Sequence, residues 1–139
     1  MQATAGIAKS YPKDPIFWEG DEADTMYVIR SGTVKVTKRV HGIMVGLAEL
    51  GPGDYFGEMG LLDGTPRSAS AVAETRVEVD EYDRDGLARR ISADPEFAMG
   101  MMRAMSGRLR EVDDRLADLV AQGRLESQDA ISIAALGPC

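Results

Sequence analysis

Glu58 and Arg67 are the two residues best suited to chemistry, an acid and a base nine positions apart in the stretch G-D-Y-F-G-E-M-G-L-L-D-G-T-P-R-S-A-S-A-V, residues 53–72. Gly53 and Gly57 precede the acid, and Gly64-Thr65-Pro66 leads straight into the base. Gly57 permits a backbone turn that a side chain would resist. Glu58-Met59-Gly60-Leu61-Leu62 has the length of one helical turn, whose free N–H groups attract anions. Arg67 offers a planar fork that matches two phosphate oxygens. Ser68 adds a hydroxyl, Ala69 leaves its N–H approachable, and Ser70 and Ala71 keep the surroundings small. A phosphate repels Glu58, but Glu58 can accept a hydrogen bond from a sugar hydroxyl. An anion cradle beside a hydroxyl reader fits a nucleotide whose sugar and phosphate lie side by side, as in a cyclic phosphodiester.

The surrounding chain has to hold these two residues in place. Residues 1–10 are small and polar without a strong period, which predicts a frayed lead-in or a short helix. From Tyr11 to about Asp83 the sequence reads as short strands separated by turn signals. Candidate strands are Ile16–Trp18, Met26–Ile29, Thr33–Lys38, Met44–Leu50, Tyr55-Phe56, Ser68–Ala73 and Arg76–Val79. Thr33–Lys38 alternates apolar and polar, so one face is buried and the other wet. Many short strands with Gly-rich turns argue for a sandwich or a barrel. Asp83 can cap a short helix through Ile91, although Gly86 weakens it. Pro95 suits a first helical turn, and a long helix is expected from there to about Gln122. Its apolar positions Met102, Met105, Leu109, Val112, Leu116 and Leu119 step by three and four, a heptad seam. The first part, around Phe97, Met101 and Met105, suits packing on the chain's own strands. Leu109, Val112, Leu116 and Leu119 suit a parallel two-stranded coil with a second copy. Residues 124–139 read as a weakly apolar tail, in which Ile131, Ile133 and Leu136 could dock.

Composition closes off several classes. The chain has 139 residues, 44% of them hydrophobic, which suits one domain with one core. A net charge of -7 disfavours nucleic acid as a partner. The lone Cys139 forms no internal disulfide and fits a reducing cytoplasm. The start M-Q-A-T-A-G-I-A-K-S lacks the apolar run of a signal peptide, and no stretch approaches the roughly 20 apolar residues of a membrane span. The single histidine, His41, sits in an expected hairpin turn. One histidine cannot supply the metal site typical of a cupin roll. No nucleophile, base pair or metal set accompanies Glu58 and Arg67, so an enzyme is not expected.

The run F-G-E-M-G-L-L-D-G-T-P-R-S-A-S, residues 56–70, closely resembles the phosphate-binding cassette of cyclic-nucleotide-binding domains. That family includes the catabolite activator proteins, the regulatory subunits of cyclic-nucleotide-dependent kinases and the cyclic-nucleotide-gated channels. F-W-E-G-D (17–21), M-Y-V-I-R-S-G-T-V-K-V (26–36) and L-G-P-G-D-Y-F-G-E (50–58) extend the resemblance, which runs from about Ile16 to Arg110. It implies a mainly β fold: an eight-stranded jelly-roll β-barrel, residues 11–94, with flanking helices and a long C-terminal helix, residues 95–123, that acts as lid and dimerisation element. It implies a ligand site of Gly57, Glu58, Met59, Arg67, Ser68, Ala69 and Ser70, with Val112 and Asp113 about where family members meet the base. The ligand implied is cyclic AMP or cyclic GMP, cyclic AMP favoured, and the role is that of a sensor signalling through its long helix. The family's transcription factors carry a helix-turn-helix after that helix, for which about fifteen residues leave no room. The alternatives are a ligand-free interaction and dimerisation module of the same fold, and the sensor fragment of a transcription regulator.

Overall fold

The computed structural model describes residues 6–123. Eight strands are followed by two helices, with one short helix inserted: β1 Ile7–Tyr11, β2 Pro15–Phe17, β3 Met26–Ser31, β4 Val34–Val40, β5 Ile43–Leu50, β6 Tyr55–Phe56, α1 Glu58–Asp63, β7 Ser70–Ala73, β8 Val77–Tyr82, α2 Arg84–Ala93 and α3 Pro95–Ala121. The strands form two four-stranded antiparallel sheets, in the orders β1-β8-β3-β6 and β2-β7-β4-β5. The eight strands of the expected roll are therefore present, but they do not close into a barrel. β6 is two residues long, confined between the turn before Tyr55 and the start of α1, so it is too short to carry a ladder onward.

Alternation builds the core. Val34 and Val36 of β4 face Ala73 and Ala71 of β7, and Tyr27 and Ile29 of β3 pair with Glu81 and Val79 of β8. The apolar members of these pairs make one buried cluster with Phe17, Leu50, Phe56, Ala69 and Val77. Facing alanines on β7 let the aromatic rings of Phe17, Tyr27 and Phe56 pack together, with centroids 4.8–6.0 Å apart.

One sequence expectation needs correction here. Residues 7–11 form a strand rather than a frayed lead-in or helix. β1 pairs with β8 from Ile7↔Glu81 to Tyr11↔Val77, but four of its five residues are exposed, so it leaves no apolar period to read. Residues 1–5 and the expected tail, 124–139, lie outside the described residues. The expected returning strand, Met44–Leu50, is present as β5, and all its residues except Leu50 are exposed, including Ile43, Met44, Val45 and Leu47.

The expected cap of α2 is present: the Asp83 carboxylate accepts from the Gly86 N–H at 2.6 Å. The chain divides into two units, one ending at Pro95 and the other beginning at Glu96. In the helical unit, Met101 and Leu116 are buried, Val112 and Leu119 are half-buried, and Leu109 is 46% exposed. The seam is therefore not uniformly open. No helix among the described residues is long and apolar enough to cross a membrane.

Candidate functional site

Gly57, Glu58 and Arg67 lie on the segment that runs from β6 through α1 to β7. Gly57, the residue before α1, has φ 78°, a left-handed conformation that glycine adopts without penalty. A Cβ there would also lie 2.7 Å from Arg67 Nη1, so a side chain would be strained in its backbone and would push on the guanidinium. Gly60 is constrained by space alone, since a Cβ would overlap Ala23 and the Thr65 carbonyl. These two positions let α1 lie close under the following loop. Asp63 fixes that loop by accepting from the N–H and hydroxyl of Thr65, contacts that hold its carboxyl below the usual carboxylate range, the hydroxyl first. Arg84 reaches across from α2 to donate to the Leu61 carbonyl.

Arg67 is the centre of the arrangement. Its side chain is buried, only 6% exposed. Nη1 donates to the Gly57 carbonyl at 2.7 Å and Nη2 to Thr25 Oγ1 at 3.2 Å. The guanidinium carbon lies 4.1 Å from the centre of the Phe17 ring and 5.8 Å from that of Tyr27. The Arg67 backbone is clamped as well, its N–H donating to the Asp21 carbonyl and its carbonyl accepting from the Gly20 N–H, both at 2.8 Å. Its Nε–H is buried and has no hydrogen-bond partner. A buried cationic donor without an acceptor costs free energy on the order of 1–3 kcal/mol or more unless a ligand completes it.

The other expected residues are placed as follows. Glu58, at 2% exposure, is buried at the first position of α1. Met59 is half-buried, and Ala69 belongs to the core cluster. The Ser68 carbonyl accepts from Lys38 Nζ at 2.6 Å. The Ser70 hydroxyl accepts from the Glu19 N–H at 2.8 Å, so it ties the 18–21 turn to β7. Val112 and Asp113 stand on α3, in the other unit, Val112 half-buried and Asp113 exposed. Sequence reasoning did not single out Thr25, Phe17 or Tyr27 as part of the site. Their signal was faint but present: Thr25 and Tyr27 are two apart, hence on one side of an extended chain, and Phe17 opens the F-W-E-G-D run.

Two other features bear on what the site can do. Among the described residues no group of three or more His, Cys, Asp or Glu side chains could hold a metal. An open groove of about 480 Å³ is lined by Lys13, Trp18, Lys35, Met44 and Val72, with Asp14 and Glu74 offsetting its lysines. It contains none of residues 57–70. The cassette, not the groove, holds the buried cation.

The model of the cyclic nucleotide-binding domain matches residues 9–94. The chain belongs to that family. It is 38% identical over 117 residues to the CRP-like cAMP-activated global transcriptional regulator of Mycobacterium tuberculosis, an overlap of 81% of this chain and 52% of that protein. It is 38% identical over 78 residues to the cAMP-dependent protein kinase regulatory subunit of Yarrowia lipolytica, covering 56% of this chain and 20% of that one. Among solved structures, the Thermus thermophilus catabolite activator protein superposes with a TM-score of 0.70 at 30% identity, covering 94% of this chain and 72% of that one. The chain thus spans about half the length of the mycobacterial relative. The relatives named here are regulators, and the fold is that of a cyclic nucleotide-binding domain: mainly β, with flanking helices and a long C-terminal helix.

Proposed function

We propose that this domain is a sensor that binds a cyclic purine nucleotide, cyclic AMP in preference to cyclic GMP, without turning it over. The observation that carries this reading is the buried Arg67 guanidinium with its uncommitted Nε–H, beside a glycine turn where a side chain would be strained. Arg67 pairs with the cyclic phosphate, assisted by the Ser68 hydroxyl and the Ala69 N–H. Glu58 accepts from the ribose 2′-hydroxyl, next to the Gly57 backbone, with Met59 and Ser70 completing the wall. The preference for cyclic AMP is supported by the relatives whose names state a cAMP response.

Binding is a mechanical signal in this reading. The ligand supplies the acceptor that Arg67 lacks, and the gain in contacts favours one arrangement of the cassette over others. Signalling through α3, assembly as a homodimer through Leu109 and its neighbours, and action in the cytoplasm complete the proposal. The exposure of Met102 and Leu109 supports the dimer. Sedimentation at rising concentration tests it, and a monomer at high micromolar concentration would contradict it.

Calorimetric titration of the whole chain with cyclic AMP and cyclic GMP tests the ligand assignment. Saturable one-to-one binding of both, tighter for cyclic AMP, is expected. The 2′-deoxy analogue of cyclic AMP should bind about tenfold or more weaker, because Glu58 then faces no hydroxyl. Heat from neither nucleotide would overturn the assignment and favour an interaction module of the same fold.

A further inference from the structure

We infer that Thr25 and Tyr27 are positioning residues that hold the Arg67 guanidinium in its binding orientation. This rests on the phosphate role proposed for Arg67. A guanidinium lying on an aromatic face is held in height but can still turn within its own plane. On Phe17, 4.1 Å away, Arg67 has that freedom unless hydrogen bonds remove it. Two do: Nη1 to the Gly57 carbonyl, and Nη2 to the Thr25 hydroxyl. The Gly57 bond alone leaves rotation about a single contact; the Thr25 bond fixes the second terminal nitrogen. Nε–H is then the group without a partner, held where it is by its neighbours.

Thr25 is itself held. A threonine hydroxyl can accept one bond and donate another. Its oxygen accepts from Arg67 and lies 3.1 Å from the Tyr27 hydroxyl, to which it donates. Tyr27 cannot swing away, because its ring stacks on Phe56 with centroids 4.8 Å apart and planes 15° from parallel. The rings of Tyr11 and Tyr27 meet in a T-shaped pair, centroids 6.2 Å apart and planes at 82°. The Tyr11 hydroxyl donates to Glu81 Oε2 at 3.1 Å, and Glu81 Oε1 accepts from Lys9 at 3.2 Å. Hydroxyls and rings thus run from the buried cation to a carboxylate at the β1–β8 edge. The bonds from Arg67 to Thr25 and from Thr25 to Tyr27 share one hydroxyl, so each strengthens the other.

The test uses the whole chain and three variants, Thr25→Val, Thr25→Ser and Tyr27→Phe. Thr25→Val keeps the shape and removes the hydroxyl; Thr25→Ser restores it; Tyr27→Phe keeps the ring stack. Cyclic AMP should bind Thr25→Val about tenfold more weakly, Tyr27→Phe about threefold more weakly, and Thr25→Ser within about twofold of wild type. Adding Thr25→Val to Arg67→Ala should cost nothing further, since the residue acts through Arg67. The second readout is the Arg67 Nε–H cross-peak in ligand-free protein by NMR, assigned by its loss in Arg67→Lys. It should keep its position in Thr25→Ser and shift or broaden in Thr25→Val and Tyr27→Phe. An unchanged cross-peak with wild-type affinity in Thr25→Val overturns the inference, as does a full additional loss in the double variant. If the wild type binds no cyclic nucleotide, the phosphate reading fails, and the cross-peak alone decides whether Thr25 positions the arginine. Should Thr25→Val not fold, Tyr27→Phe carries the same two readouts.

Discussion

The cassette and strand β5 invert the usual partition of residues in opposite senses. The cassette buries an arginine and a glutamate, at 6% and 2% exposure. β5 leaves Ile43 67% exposed, with Met44, Val45 and Leu47 also open. Charged side chains are rarely buried without partners, and contiguous exposed apolar strands are rare on isolated domains. The difference lies in what surrounds them. Arg67 is gripped by an aromatic face, a carbonyl and a hydroxyl, so its burial is built into the fold. β5 is an end strand whose outer edge carries no partner strand among the described residues. Of the two, the cassette holds a buried cation with a donor left over.

That contrast can be broken or sharpened by substitution. The largest effect is expected at Gly57→Ala, which meets both an unfavourable φ and Arg67 Nη1 at 2.7 Å. A loss of about 2–4 kcal/mol in urea unfolding follows from backbone strain plus overpacking. A change near zero would show that the Arg67 grip is loose. Next comes Phe17→Leu, which removes the aromatic face while leaving apolar bulk. It should lower stability by about 1–2 kcal/mol and weaken cyclic AMP binding, whereas an exposed loop charge would not register the change.

On β5 the expectation is the reverse. Ile43→Lys should alter unfolding free energy by no more than about 0.5 kcal/mol, because little is buried there. It should reduce light scattering at high concentration, since a charge protects an exposed strand edge. A loss of several kcal/mol would mean that β5 is a structural strand and the contrast is false.

The last effect shows only at high pH and concerns Tyr11, whose phenol is pushed well above the ordinary tyrosine value by burial first, then by Tyr27 and Glu81. A folded value raised above the unfolded one gives stability fully present below the unfolded value, near pH 10, and lost as pH rises through the folded value. Wild type should therefore lose stability relative to Tyr11→Phe between about pH 10 and pH 12, measured by urea titration at each pH. Parallel curves would show that the hydroxyl is not part of the network.

Much of this was legible in the sequence, for identifiable reasons. The strands from Phe17 to Tyr82 were legible as short runs between turn signals, with clean alternation at Thr33–Lys38, and Asp83 through its capping chemistry. Gly57, Glu58 and Arg67 were legible because their types and spacing lie within one local loop. The grip on Arg67 was not, since Thr25 and Phe17 are 42 and 50 positions away and meet it only once two sheets face each other. β1 was hidden by its exposure, which erases the period-two signature. The open barrel was hidden because the length of β6 is set by the turns on either side of it.

The central claim is that the Arg67 guanidinium is the anchor for a cyclic phosphate. The most direct measurement is the dissociation constant of cyclic AMP for wild type and for Arg67→Ala, by calorimetry on the whole chain. Loss of a charge-assisted contact worth about 1.5–3 kcal/mol predicts a weakening of roughly 10- to 200-fold, with the variant still folded by circular dichroism. Equal affinity in a folded Arg67→Ala protein would contradict the claim.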